Sequence, residues 1–157
     1  MKKKIIPILS FICIVAVIGV IFALRYSKKE ATPTFGKPIL TSTTLDMPIE
    51  SCLSTNIHSS LCIPTQITKI GEDYFLVDCY HDQILTSTSL DTPLLEWSVL
   101  TDQIHWGHTI AGDGTVYLAD DTENNHILIF EKKDGRFYMT QLFENIGVRP
   151  HFVAYDE

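Results

Sequence analysis

Residues 106–130, WGHTIAGDGTVYLADDTENNHILIF, contain a glycine turn, an alternating aromatic and aliphatic run, a polar corner and a second apolar run. Alternation of apolar and polar side chains is the period of a half-buried strand, and Asp-Gly or Asn-rich breaks mark the turns between strands. Four strands follow from this stretch and its continuation: about 108–112, 115–119 (TVYLA), 126–131 (HILIFE) and 136–142 (RFYMTQL). The Asp134-Gly135 pair between the last two favours a tight hairpin.

The same texture occurs earlier in the chain. PTQITKIGEDYFLVDCYHDQIL (64–85) can be laid over GHTIAGDGTVYLADDTENNHIL (107–128), and the closing PHFVAYDE (150–157) over the start of both. Ile67, Ile110 and Val153 then fall 43 residues apart each time. The first unit supplies TQITKI, YFLVD, QILTSTS and LLEWSVL in the same order. Few apolar runs at helical spacing compete, so the part from residue 62 onward is expected to be all-β. A repeat in the low forties with several strands per period is the signature of propeller blades.

DGTVYLADDTENNHILIFE resembles the NHL-type β-propeller blade: a Pro/His-led first strand, a DG turn, an aromatic-aliphatic-Asp second strand and an Asn-Asn-x-Ile third strand. The resemblance covers nearly two blades and the opening of another, from about residue 62 to 157. It extends to a group of bacterial membrane-anchored proteins with similar blades, which implies no particular chemistry. The implied architecture is a partial β-propeller of about two four-stranded blades plus the start of a third. Closed propellers hold four to eight blades, and a six-bladed ring takes roughly 260 residues. The chain is therefore expected to be a piece of a longer propeller, with open sheet edges available for self-association.

Before the repeats lie two other regions. Residues 5–24, IIPILSFICIVAVIGVIFAL, are uncharged and flanked by Lys2, Lys3 and Lys4 and by Arg25, Lys28 and Lys29. At roughly 0.3–0.6 kcal/mol per Ile, Leu, Val or Phe, insertion gains about 4–8 kcal/mol, so residues 1–29 read as a transmembrane anchor. A cleaved signal peptide is the alternative, but the apolar run is long and no small-x-small site follows it. Ile12 before Cys13 argues against a lipoprotein attachment cysteine. Three basic residues flank the span on each side, and the free amino terminus beside the lysines tips this near balance, so residues 30–157 are expected outside the cytoplasm, in a single-pass cell-membrane arrangement. Residues 30–61, rich in Ser, Thr and Pro, read as a stalk, part of which is free to pack as an added strand.

Residues 30–157 carry six basic against nineteen acidic side chains, a net charge of −13. Such a surface repels nucleic acid and anionic headgroups. Cys52, Cys62 and Cys79 form no CxxC pair, so a metal knuckle is not indicated, and a Cys52–Cys62 bridge would close only a short loop.

Several side chains merit attention as site candidates. Asp78 and Asp120 end the second strand of each unit, where a carboxylate can accept N–H groups of the following turn, with Asn125 in the corresponding corner. Asp120, Asp121 and Glu123 cluster without the alternating ligands of a calcium loop. His108 and His151 share a repeat position just ahead of the innermost strand. The resemblance implies that such positions converge at one end of a central channel. Related lyase and lactonase-like propellers hold a divalent metal there, but Thr65 breaks the pattern in the first unit. His81 and His126 belong to the corners. Trp97 alternates within a strand and reads as packing, whereas Trp106, beside Gly107 and His108, reads with His81 as candidate binding surface. No G-x-S-x-G elbow or phosphate loop is present.

The function expected is therefore a membrane-anchored extracytoplasmic binding module for a peptide, glycan or protein. The alternatives are a metal-dependent lyase or hydrolase centred on His108 and His151, and a fragment without activity. No cofactor is required by the first reading.

Overall fold

A computed structural model describes residues 41–156. The candidate span 5–24 and the first part of the stalk lie outside these residues, and among the described residues no helix is long and apolar enough to cross a membrane. What is described is all-β and antiparallel. Nine strands follow in order: β1 (Thr41–Glu50), β2 (Pro64–Ile70), β3 (Asp73–Asp78), β4 (Gln83–Ser87), β5 (Ser98–Thr101), β6 (Ile110–Gly112), β7 (Val116–Asp121), β8 (His126–Lys133) and β9 (Arg136–Glu144). One sheet is the meander β2-β3-β4-β5; the other has the order β1-β9-β8-β7-β6. Neither sheet closes on itself.

The 43-residue offset is kept in the backbone. Asp73–Asp78 and Val116–Asp121 begin and end 43 residues apart, and so do the starts of β4 and β8, at Gln83 and His126. Ile63, Trp106 and Arg149 all take left-handed backbone, with φ of 55°, 54° and 53°. Asp82 and Asn125 do so as well, at 54° and 60°. Left-handed backbone is costly for a β-branched residue such as Ile63, so its recurrence marks a corner that the repeat requires. The turns of the two units also meet: a Cβ on Gly71 would lie 3.3 Å from the Gly114 Cα. In the Asp113-Gly114 turn, the N–H groups of Val116 and Thr115 donate to the Asp113 carboxylate and hold its pKa below the usual range. Asp134 and Gly135 both have positive φ, as the hairpin reading from Asp-Gly requires.

Two details differ from the sequence reading. Leu94–Glu96, read as the start of a strand, forms a 3-10 turn after Pro93, and the strand begins only at Ser98. Within the region read as a stalk, residues 41–50 are β1, the added strand, paired to the outer strand β9 from Thr41↔Glu144 to Glu50↔Tyr138. The chain then crosses to the outer strand of the other sheet, where Cys52 N–H donates to Val99 O, Val99 N–H to Ser54 O, and Asn56 N–H to Trp97 O. One strap thus satisfies backbone groups on the outer edges of both sheets, the edges most open to unwanted pairing.

The main core lies between the sheets and joins Phe75, Val77 and Ile84 of the first to Tyr117, Leu128, Phe130 and Phe137 of the second. Leu76, Leu85 and Trp97 form a second cluster on the other face of the first sheet, and the Trp97 Nε1–H donates to Thr92 O. Cys52, Cys62 and Cys79 are free thiols.

Burial raises the Cys52 thiol from 9.0 to about 12, with the Asp73 carboxylate adding to the rise, and raises the Tyr117 phenol from 10.0 to about 12. Both groups keep their protons in the folded chain at a pH where the unfolded chain has lost them. Their contribution is complete below about pH 9 and declines as pH rises towards 12. Melting temperature should therefore fall progressively between about pH 9 and 11, and Cys52→Ala should shrink the earliest part of that decline, which the Cys79 thiol, also raised from 9.0 by burial, shares. A melting temperature flat across this range would contradict the burial of these groups.

Candidate functional site

Strand directions place one set of loops at a common end. The β3–β4 corner (79–82), the β5–β6 loop (102–109), the β7–β8 corner (122–125) and residues 145–151 all gather where Asp78 pairs with Gln83 and Asp121 with His126. All six histidines of the chain lie at this corner end: His58, His81, His105, His108, His126 and His151.

Buried carboxylates organise it. Asp78 is fully buried; its Oδ1 accepts the Cys62 N–H at 2.6 Å, and its Oδ2 lies 2.7 Å from His81 Nδ1 and 3.3 Å from Gln83 Nε2. Asp121 repeats this set 43 residues later, with the His105 N–H at 2.8 Å, Asn124 Nδ2 at 2.9 Å and His126 Nδ1 at 3.5 Å. The structural equivalent of Asp78 is thus Asp121, a correction to the pairing with Asp120. The donors also differ from expectation: both carboxylates take an N–H from the segment ahead of the unit's first strand, so they tie the corner back to that strand.

Asp120 has no acidic counterpart, since Val77 stands 43 residues before it. It is fully buried and accepts the Thr109 N–H and Oγ1–H at 2.7 Å and the His108 N–H at 3.0 Å. The Thr122 hydroxyl lies 2.8 Å from Asp120 Oδ2, 2.7 Å from Pro150 O and 3.0 Å from His108 Nδ1. Asp120 therefore fixes the entry to β6 and, through Thr109 and Thr122, the segment that follows β9.

Two hand-over contacts recur between successive units. The Ile110 N–H donates to Gln66 Oε1 and the Val153 N–H to Thr109 Oγ1, each spanning 44 residues. The Trp106 N–H donates to Asp82 Oδ1, and the Arg149 N–H to Asn125 Oδ1. Asn125 thus joins two units as well as shaping its own corner.

The sequence-derived candidates are distributed as follows. His108 and His151 do come together, with ring centroids 4.4 Å apart in an edge-on arrangement. Among the described residues, however, no group of three or more His, Cys, Asp or Glu side chains could hold a metal ion. His81 stacks on His58 at 3.7 Å and is turned inward onto Asp78. Trp106 is 39% exposed and stacks on Tyr80, itself 52% exposed, at 5.7 Å and 25°. The His105 ring lies against Trp106 at 5.6 Å and is held by Asp82 Oδ2 at 3.1 Å.

Tyr80, Asp82 and His105 were not singled out from the sequence. The available signal was the 43-residue offset, which puts Asp82 over Asn125, itself read as a turn-structuring residue.

Gly107 allows the loop carrying Trp106 and His108 to pass close to β7: an added Cβ would lie 2.6 Å from Ile104 Cδ1 and 2.7 Å from Asp120 O. Gly107→Ala is expected to cost about 1–3 kcal/mol of stability, measured by urea unfolding, because the backbone must shift.

No protein-family model, curated protein or solved structure matches the chain.

Proposed function

We propose that the chain is a membrane-anchored, extracytoplasmic binding module of NHL-like propeller type, whose corner end presents the recognition surface. The observation that carries this reading is the exposed Tyr80–Trp106–His105 stack, held in place by Asp82. Exposed aromatic rings fixed on a rigid scaffold lose little conformational freedom on binding, which is why such groups dominate recognition surfaces. The propeller-like part of the reading is supported by the 43-residue recurrence of corners and hand-over contacts. The metal-dependent alternative has the adjacent His108 and His151 rings in its favour, but two imidazoles fall short of the three protein ligands a catalytic zinc site uses.

The test is a binding survey with the full chain in micelles, using immobilised peptides of basic, acidic and neutral composition together with neutral oligosaccharides. At least one class should be retained by the wild-type chain and lost by Trp106→Asn, since asparagine tolerates the left-handed backbone there. If no class is retained in a Trp106-dependent way, the reading fails. A topology reporter fused after residue 157 should score as extracytoplasmic; a cytoplasmic score would overturn the location.

A further inference from the structure

We propose that the Tyr80–Trp106 platform receives a basic segment of a partner polypeptide, with an Arg or Lys side chain laid over the Trp106 indole. This inference rests on the binding-module reading and names its partner class.

The platform is not demanded by the repeat. Ile63, Trp106 and Arg149 are equivalent, and what they share is a left-handed backbone. Trp106 and Arg149 also share an N–H donated to the preceding corner. Tyr80 corresponds to Glu123, and the second junction joins these positions by an ion pair, Arg149 to Glu123 at 2.6 Å. A side chain from one unit therefore reaches the other at both junctions, and at the second that side chain is a guanidinium. The first junction places two large, partly exposed aromatic rings there instead.

The surrounding charge selects the ligand. Of the five basic side chains in residues 45–156, Lys69, Lys132, Lys133 and Arg136 belong to the opposite, hairpin end, where Lys132 pairs with Asp73 and Arg136 with Glu50. The corner end holds Asp78, Asp82, Asp102, Asp120, Asp121 and Glu123; its one Lys or Arg, Arg149, is already paired, and His81, His105, His108 and His126 each lie against one of these carboxylates. A cation approaching Trp106 meets the negative face of an indole inside a negative field, the arrangement that cation–π recognition uses. A neutral sugar would gain nothing from that field, and an acidic peptide or nucleic acid would be repelled by it. The rings are also set beforehand: Asp82 holds both the Trp106 N–H and the His105 ring, and Asp121 holds the His105 N–H.

Isothermal titration of the full chain in uncharged, sugar-free polyoxyethylene-ether micelles tests this, with penta-arginine as the probe. Penta-glutamate and cellopentaose serve as comparisons. Penta-arginine should bind saturably and weaken as salt rises from about 20 to about 200 mM. Trp106→Asn should weaken it by about fivefold and Tyr80→Ala by about threefold, with melting temperatures kept. Equal binding of penta-arginine by both variants and wild type would reduce the effect to general acidity and overturn the proposal, as would no binding at all. Trp106-dependent binding of cellopentaose or penta-glutamate instead would overturn the basic partner while leaving the binding-module reading standing. Only the absence of every Trp106-dependent ligand would remove both.

Discussion

Asp120→Ala should destabilise the chain by about 3–5 kcal/mol in urea unfolding, a large part of the 5–15 kcal/mol typical of a domain. The carboxylate is fully buried and takes the Thr109 N–H and hydroxyl on one oxygen and the His108 N–H on the other, with the Thr122 hydroxyl also within reach. Alanine leaves these donors without an acceptor in a site that water does not reach, and an unpaired buried donor costs more than the bond itself was worth. The loss should be local as well as global. Thr109 and Thr122 pass the carboxylate's hold to Val153 and Pro150, so amide exchange of Val153 should accelerate before that of the strands. Thr122→Val provides the contrast, since it removes one of the hydroxyls around Asp120 and should cost about 1 kcal/mol. A change below about 1 kcal/mol for Asp120→Ala would mean that the donors find other partners.

How much of this was legible beforehand depends on the range of the interaction. The strands of the second unit, the Asp134-Gly135 hairpin and the 43-residue repeat are set by alternation and turn chemistry within a few residues, and sequence reads these directly. The break at Leu94–Glu96 depends on a 3-10 turn that leaves Trp97 free to bury against Leu76 and Leu85, a tertiary preference that a run of β-forming residues does not reveal. The strap is harder still. TSTTLDMPIE has little apolar alternation because β1 pairs through its backbone with the edge of β9, and backbone pairing leaves little trace in side-chain pattern. At the site, His108 and His151 were found because equivalent positions converge. Tyr80, Asp82 and His105 escaped because their partners lie across a unit junction. Asp82 is 24 residues from the Trp106 N–H it accepts, and nothing local in CYHDQ advertises that bond.

Phe75→Ala should cost about 3–5 kcal/mol, the range for deleting a large buried aromatic side chain. Phe75 on β3 is fully buried, and its ring meets Tyr117 of β7 at 5.2 Å and Phe137 of β9 at 5.9 Å, while those two meet each other at 5.3 Å. The tilted and edge-on angles of this triangle, 51°, 88° and 64°, are those in which ring edges point at ring faces, so each pair adds to simple burial. One ring comes from the first unit and two from the second, so the triangle is the place where two meanders become one folded body. Phe75→Leu, which keeps most of the apolar volume and loses the ring geometry, should recover more than half of the loss. Ile67→Ala supplies the control on the same sheet: Ile67 is 58% exposed and its truncation should lie within about 0.5 kcal/mol of neutral. If Phe75→Ala instead unfolded the first sheet in a separate, earlier transition while the second stayed intact, the units would be independent. The hand-over contacts from Gln66 to Ile110 and from Asp82 to Trp106 would then be consequences of proximity. A single cooperative transition shifted to lower urea is the expected outcome, because the same side chains that fill the core also span the junction at which Trp106 is displayed.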